Sequence, residues 1–283
     1  MIKNIVFGCG SIKGLIYIGC LQYMEEHNLL SNITTIVGTS VGGIFALLLN
    51  LGYTSIELKK LALHIDFSKL SNVNSESILQ VMETFGIDSG EKLLNLLSIL
   101  IKKKVKTEKI TFQQLYEITK QKIIITGTCL TTNEVEYFSY ETHPTMEILK
   151  AIQITFTIPF VYNKVIYNDK YYLDGAIVND FPIQLFHESK KNTIGFLIKS
   201  KQEACLEIND LLSYFKRVVN CVQLRLKQYQ VIGFENQTVT LTIDIENVSY
   251  SMGREIKEQL FTLGYQQTKE YFDKRKKQKK TLN

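Results

Sequence analysis

The chain has 283 residues, 45% hydrophobic and 22% charged, a balance that suits one large globular domain, with or without an extension, and excludes a disordered or fibrous chain. Its five cysteines (Cys9, Cys20, Cys129, Cys205, Cys221) are odd in number and contain no C-x-x-C pair, which argues against a disulfide framework or zinc site and for a reducing compartment. The formal net charge of +5 belongs to the chain's end, where Lys274, Arg275, Lys276, Lys277, Lys279 and Lys280 stand in a tail without an acid; the rest of the chain is close to neutral.

In chain order, IKNIVF (2–7) reads as a buried strand and 14–27 as an amphipathic helix. ITTIV (33–37) is a second β-branched run, followed by an apolar helix over 41–51 and further helical patterns at 54–65 and 88–104. Thr111 with Gln114 forms a capping box for a helix through Thr119. Strands are expected at 122–130 and 134–139, a helix at 145–154, and a hairpin at 164–173 with Asn168-Asp169 at its turn. A helix opening at Phe181-Pro182 precedes a strand at 192–198. Beyond residue 200 the pattern turns helical (206–230 and 254–273), with one alternating strand at 237–245. Strands alternating with helices predict an α/β fold, a three-layer sandwich on a mainly parallel central sheet. The expected division is a principal domain over 1–200 and a mostly helical C-terminal extension over 201–283 that ends in the basic tail.

Eighteen uncharged residues, Ile36–Tyr53, are long enough to suggest a membrane span, but two glycines and Thr39, Ser40 and Asn50 interrupt them. A buried strand, a tight turn and a buried helix fit better. No signal peptide is recognisable at the N-terminus, so an intracellular location is expected, cytoplasmic or peripheral on membranes, and the sequons at Asn32, Asn236 and Asn247 carry little weight. The basic tail reads as a solvated, frayed terminus or as a contact for nucleic acid, anionic lipid or an import receptor; no specific nucleic-acid ligand is expected.

Two glycine-rich turns carry the chemistry. Gly38-Thr39-Ser40-Val41-Gly42 matches G-x-S-x-G in the context of strand, sharp turn and helix, where the glycines allow close packing and a strained serine that holds its hydroxyl at a helix N-terminus. A serine nucleophile needs a base and a set of N–H donors for the oxyanion it creates. The turn after the first strand, Gly8-Cys9-Gly10-Ser11-Ile12-Lys13-Gly14, stands where those donors are needed. It is not a Walker A loop, because Lys13 precedes Gly14 and Leu15 follows. Nor is it a dinucleotide loop, since its glycines are spaced one residue too long and the second strand ends without an acid.

The histidines, His27, His64, His143 and His187, lie in contexts that suit surface or structural roles. Asp174, in Tyr171-Tyr172-Leu173-Asp174-Gly175-Ala176, ends a strand beside small residues; it serves either a reacting site or a turn that it caps with Gly175.

GCGSIKG (8–14), GTSVG (38–42) and DGA (174–176), in this order, resemble the three signatures of the patatin-like phospholipases, and the resemblance covers about residues 4–200. It implies a three-layer α/β/α fold and a lipid acyl hydrolase with a Ser-Asp dyad, no histidine, no metal and no cofactor. By that resemblance Ser40 is the nucleophile and Asp174 the base, backbone N–H groups around Gly10 and Ser11 form the oxyanion hole, and Gly8, Cys9, Gly14, Gly38, Gly42 and Gly175 complete the motifs. Phe156-Thr157-Ile158-Pro159-Phe160 stands where the family carries a similar Pro-containing stretch. Cys9 and Ser11 depart from the family's glycines; the hole needs only backbone N–H groups, so it survives if the turn avoids positive φ at those positions, and otherwise a strained loop or a slow enzyme is expected. Cys9 itself is a small turn residue or a reactive thiol.

The substrate implied is a phospholipid or another acyl lipid, met at a membrane surface. The insertion at 66–110, with Ile78, Val81, Met82, Phe85, Leu93, Leu94 and Leu97, packs the domain or lines an acyl trough. Two other functions fit parts of the pattern: a silent lipid-binding module on the same scaffold, and a Ser-His-Asp esterase using His143 or His187.

Overall fold

A computed structural model describes residues 1–74, 79–200 and 208–281; Ile78 and Cys205 lie outside the described residues. Strand β1 (Asn4–Phe7) leads through a 3-10 turn (Ser11–Ile16) into α1 (Tyr17–Glu26), and β2 (Thr35–Gly38) leads into α2 (Val41–Asn50) and α3 (Ser55–His64). Next come α4 (Val81–Thr84), β3 (Gly86–Asp88), α5 (Glu91–Val105), α6 (Phe112–Thr119), β4 (Lys122–Cys129) and β5 (Glu134–Phe138). They are followed by α7 (Ile148–Phe156), β6 (Phe160–Tyr162), β7 (Val165–Tyr167) and β8 (Lys170–Asp174). A run of 3-10 turns (Ile183–Asn192), β9 (Thr193–Ser200), α8 (Leu211–Gln230), β10 (Thr238–Ile243) and α9 (Arg254–Thr281) complete the described chain.

The main sheet has the order β10-β9-β1-β2-β4-β8-β7, with β5 also on β4. From β10 to β4 all pairings are parallel; β5, β8 and β7 add an antiparallel margin. The parallel strands are near-continuous apolar runs because both faces are covered. Ile5, Phe7, Ile36, Ile125 and Phe196 enter the larger core, to which α1, α2 and α7 contribute. Val6, Val37, Ile124 and Leu197 point the other way, into a smaller core closed by Phe181, Ile183, Phe186 and Phe234. The C-terminal residues join the same body: β10 extends the sheet beside β9, and α9 crosses α1 at backbone contact. A Cβ on Gly19 would stand 1.8 Å from Phe261 O, and one on Gly264 would stand 2.1 Å from Ile16 O, so small residues permit that crossing.

The mainly parallel sandwich is the expected fold, and most elements fall where the pattern puts them. The capping box at Thr111–Gln114 forms, and Asn168 and Asp169 both adopt positive φ at the hairpin turn, as a tight hairpin twist requires. Three expectations change. The helix expected from Gly14 starts as a 3-10 turn at Ser11, and within that turn Gly14 packs against Val41, whose Cγ1 would be 2.7 Å from a Cβ there. The helix after Phe181-Pro182 is a series of 3-10 turns broken at Phe186 and Ser189, where Phe186 turns into the smaller core. The basic tail is not a frayed coil but continues α9 to Thr281, as suits a run of good helix formers. Among the described residues no helix is long and apolar enough to cross a membrane, and the uncharged stretch from Ile36 resolves into β2, a turn and α2.

Candidate active site

Ser40 follows β2 at the N-terminus of α2 with φ 56° and ψ −127°, a conformation that L-residues seldom adopt. Close packing holds it there. A Cβ on Gly38 would meet Gly42 O at 2.1 Å, and one on Gly42 would meet Phe7 O at 2.3 Å, so helix and strands touch backbone to backbone through these glycines. The Ser40 N–H donates to Thr155 Oγ1 at 2.8 Å, and the Thr39 N–H donates to Phe7 O at 3.2 Å.

At the end of β8, Asp174 lies within reach of this turn. The Ser40 hydroxyl donates to Asp174 Oδ2 at 2.7 Å, while Asp174 Oδ1 accepts from the Ala176 N–H at 2.8 Å. The aspartate therefore does both things left open by its sequence: it meets the serine, and it caps the turn at Gly175. A Cβ on Gly175 would fall 2.5 Å from Thr126 O, which keeps that turn flush against β4. The Asp174 N–H donates to Thr157 O, and Thr128 Oγ1 donates to Asp174 O, so the backbone around the carboxylate is fixed on both sides. Asp174 is 3% exposed. Burial pushes its carboxyl up from 3.8 to about 7; the bonds from Ala176 and Ser40 pull it down, and the nearby charge of Asp180 adds to the rise.

The first glycine turn packs against the second. The Gly8 N–H donates to Phe196 O and the Cys9 N–H to Asp180 O, and Lys13 N–H closes the 3-10 turn onto Gly10 O at 3.1 Å. The N–H groups of Gly10, Ser11 and Ile12 head that turn, and the first donors of a helix have no carbonyl behind them. Cys9 keeps negative φ, but Ser11 does not: its φ is 49°, and its hydroxyl is bonded to Tyr250 OH at 2.8 Å. Burial raises the Cys9 thiol far above its ordinary value, with the charge of Asp180 acting in the same direction, so no thiolate forms there at neutral pH.

Ser11, Ser40 and Tyr250 line a cavity of about 430 Å³ that is otherwise mostly apolar. Val41, Ile44, Phe45 and Leu48 line it along two turns of α2, with walls from α3, α5 and the β6 segment. Of the residues expected to form a trough, Leu93 and Leu97 line it; Met82 and Phe85 face solvent.

The histidines lie elsewhere. His143 sits 3.9 Å from Glu136 and His187 sits 3.6 Å from Glu188; the Ser40 hydroxyl donates to Asp174 instead. Sequence reasoning missed Thr155, which anchors the elbow, and the pair of buried Asp180 and half-buried Lys227, 3.1 Å apart, which braces the first glycine turn from α8. Gln223, one turn before Lys227, donates to Ala176 O at 3.0 Å; that shared helix face was the available signal.

Fold and site together define an α/β protein built on a strand–elbow–helix serine that faces a buried carboxylate at an apolar cavity. The chain belongs to the patatin-like phospholipase family, whose profile matches residues 5–187. It is 26% identical over 252 residues to the probable lipid hydrolase 463L of Invertebrate iridescent virus 6, covering 88% of this chain and 81% of that protein. It is 27% identical over 280 residues to the uncharacterized protein R571 of Acanthamoeba polyphaga mimivirus, covering 95% of this chain and 93% of the relative. Among solved structures, VipD from Legionella pneumophila superposes with a TM-score of 0.63 at 15% identity, over 96% of this chain and 67% of VipD. A chain of the ExoU–SpcU complex of Pseudomonas aeruginosa gives 0.58 at 20% identity; the match spans 97% of this chain but about half, 52%, of that one. These two likenesses concern the fold.

Proposed function

We propose that the chain is a lipid acyl hydrolase of phospholipase A type, with Ser40 as nucleophile and Asp174 as its base. The observation that carries this reading is the 2.7 Å bond from the Ser40 hydroxyl to a buried Asp174 beside an apolar cavity. Asp174 takes the hydroxyl proton as Oγ attacks the ester carbonyl, and the carbonyl electron pair moves onto oxygen. N–H groups of Gly10 and Ser11 hold that oxyanion. The intermediate collapses to an acyl-Ser40, and the leaving alcohol takes the proton from Asp174. Water then attacks the acyl carbonyl and gives a proton to Asp174, which passes it to Ser40 Oγ as the acyl–oxygen bond breaks, freeing the fatty acid and restoring the hydroxyl and the carboxylate. A carboxylate whose affinity for protons is raised to the neutral range is a better base than a solvated one. The cavity accepts the acyl chain, and its volume is within the range of ligand pockets.

The test is fatty-acid release from mixed phospholipids by wild type, Ser40→Ala and Asp174→Ala, with fluorophosphonate labelling alongside. Wild type is expected to hydrolyse and to be labelled at Ser40, and each variant to lose on the order of a thousandfold or more in kcat while remaining folded. Retained turnover in Ser40→Ala, or an unlabelled wild type without turnover, overturns the proposal; the latter points to a silent lipid-binding module.

A further inference from the structure

Helix α8 presents two unlike faces. Inward, Phe215 meets Phe160 edge to face at 4.4 Å, Gln223 reaches the Asp174 turn, and Lys227 pairs with Asp180. Outward, Tyr214, Val218, Val222 and Tyr229 are 57%, 45%, 55% and 68% exposed. At 100° per residue these four fall within one narrow stripe, and exposed Arg225 falls inside it. From Leu211 to Gln230 the sequence has two lysines, two arginines and no acid. A helix with an apolar outer stripe and only positive charge has the composition of an interfacial helix.

The apolar surface continues past the helix. Phe160, 45% exposed, pairs in register with Gly86, and the preceding residues Phe85 and Met82 are 53% and 81% exposed. Lys164 Nζ lies over the Phe85 ring at 4.4 Å. On the inner side of Phe160, Ile158, Val161 and Tyr162 line the cavity that reaches Ser40. Through the Phe215–Phe160 contact, α8 therefore adjoins the segment whose Ile158, Val161 and Tyr162 line the cavity.

We propose that this face, centred on α8, docks the protein on an anionic lipid bilayer, with the stripe at the boundary of headgroups and acyl chains. Charge chooses the occupant. A second copy on a two-fold axis would set the Arg225 stripe of one helix against that of the other with no acid on either helix to answer it, whereas anionic headgroups complement it. The proposal deepens the hydrolase reading and rests on it for its purpose, but binding is measured on protein that does not turn over.

Full-length Ser40→Ala protein is floated with vesicles of phosphatidylcholine alone and of an equimolar mixture with phosphatidylglycerol. The mixed vesicles are expected to bind about tenfold tighter or more, and added salt to weaken that binding. Adding Val218→Asp and Val222→Asp lowers the affinity by about tenfold or more with an unchanged circular-dichroism spectrum. A polarity-sensitive fluorophore on exposed Cys221, in a Cys205→Ser background, shifts to the blue on the mixed vesicles. In otherwise wild-type protein, the two aspartates reduce vesicle hydrolysis but leave turnover of a monomeric short-chain ester unchanged. Equal binding to both vesicles, or full binding by the double variant, overturns the proposal. So does a wild-type dimer that the double variant dissolves, which assigns the face to a second copy. Vesicle binding by a protein that hydrolyses no ester retains the docking surface and removes the hydrolase reading; ester hydrolysis without vesicle binding does the reverse.

Discussion

Ser40 and Asp174, 134 residues apart in the chain, share a 2.7 Å hydrogen bond at the junction of two strand ends. Burial makes this contact costly, and the cost depends on pH. The Asp174 carboxyl has its proton affinity raised from 3.8 to about 7 in the fold. Below 3.8 it is protonated in both states, folded and unfolded. Between the two values the unfolded chain ionises and the folded chain does not, so stability falls as pH rises; above about 7 the loss is complete. Asp174→Asn removes the titration. It is expected to raise stability by a few kcal/mol at pH above about 7 and by little in acid, read from denaturant midpoints across pH. A gain that does not depend on pH refutes the burial account.

The mechanism proposed above gives the same carboxyl the acid limb of activity. With Asp174 as the base, hydrolysis requires its ionised form, so kcat/KM on an uncharged ester is expected to rise about tenfold per pH unit in acid and to level near 7. Removing the neighbouring negative charge by Asp180→Asn lowers the proton affinity of Asp174 and moves that limb to lower pH. A purely structural role for Asp180 changes the height of the profile and leaves its midpoint in place.

Features encoded within a few residues are legible in the sequence. G-x-S-x-G after a β-branched run places Ser40 on an elbow because both glycines act on the same turn, and Asn168-Asp169 places the hairpin for a similarly local reason. Asp174 was visible as an acid at a strand end, but whether it faced a serine or a turn depended on which strands adjoin. The order β9-β1-β2-β4-β8 follows from long-range packing and leaves no short-range pattern. The cavity was legible only in part, as a trough that Leu93 and Leu97 could line, for the same reason. Its walls come from α2, α3, α5 and the β6 segment, and the apolar periodicity of each is what ordinary core packing also produces. Asp180 lies in a loop and Lys227 on α8, and nothing near either residue in the sequence shows that the two pair or that Asp180 is buried.

The elbow glycines make a second contrast testable. Gly42→Ala puts a methyl group 2.3 Å from Phe7 O and 2.6 Å from Gly8 O, both backbone atoms that cannot move aside. Gly52, with φ 75°, has nothing within 4 Å, so alanine there meets only backbone strain. Gly52→Ala is expected to cost about 1 kcal/mol and Gly42→Ala about 3 kcal/mol or more, measured by chemical denaturation. Similar costs for the two would show that close approach is not what selects Gly42.

Ser11 occupies a left-handed backbone position where the family has glycine, held by its bond to Tyr250. Ser11→Gly and Ser11→Ala both delete the hydroxyl, so their difference isolates the backbone. The glycine variant is expected to be more stable by about 1 kcal/mol and at least as active on a monomeric ester as the alanine variant. Since the oxyanion contacts proposed for this turn are main-chain N–H groups, a side-chain change there acts through φ. Equal stability of the two variants would show that Ser11 bears no strain.

The cavity gives a prediction about chain length. Val41, Ile44, Phe45 and Leu48 line it along α2, and at 1.5 Å per residue Leu48 stands about 12 Å along the helix from Ser40. A short acyl chain attached at Ser40 ends before that point, and a long one passes it. Leu48→Trp fills the far part of the cavity while leaving the serine, its carboxylate and both glycine turns untouched. The variant is expected to keep turnover of a short-chain ester and to lose about tenfold or more on a long-chain ester of the same alcohol. Comparing the two esters controls for stability, because partial unfolding lowers both rates by the same factor. An equal loss on both esters would place the acyl chain outside this cavity.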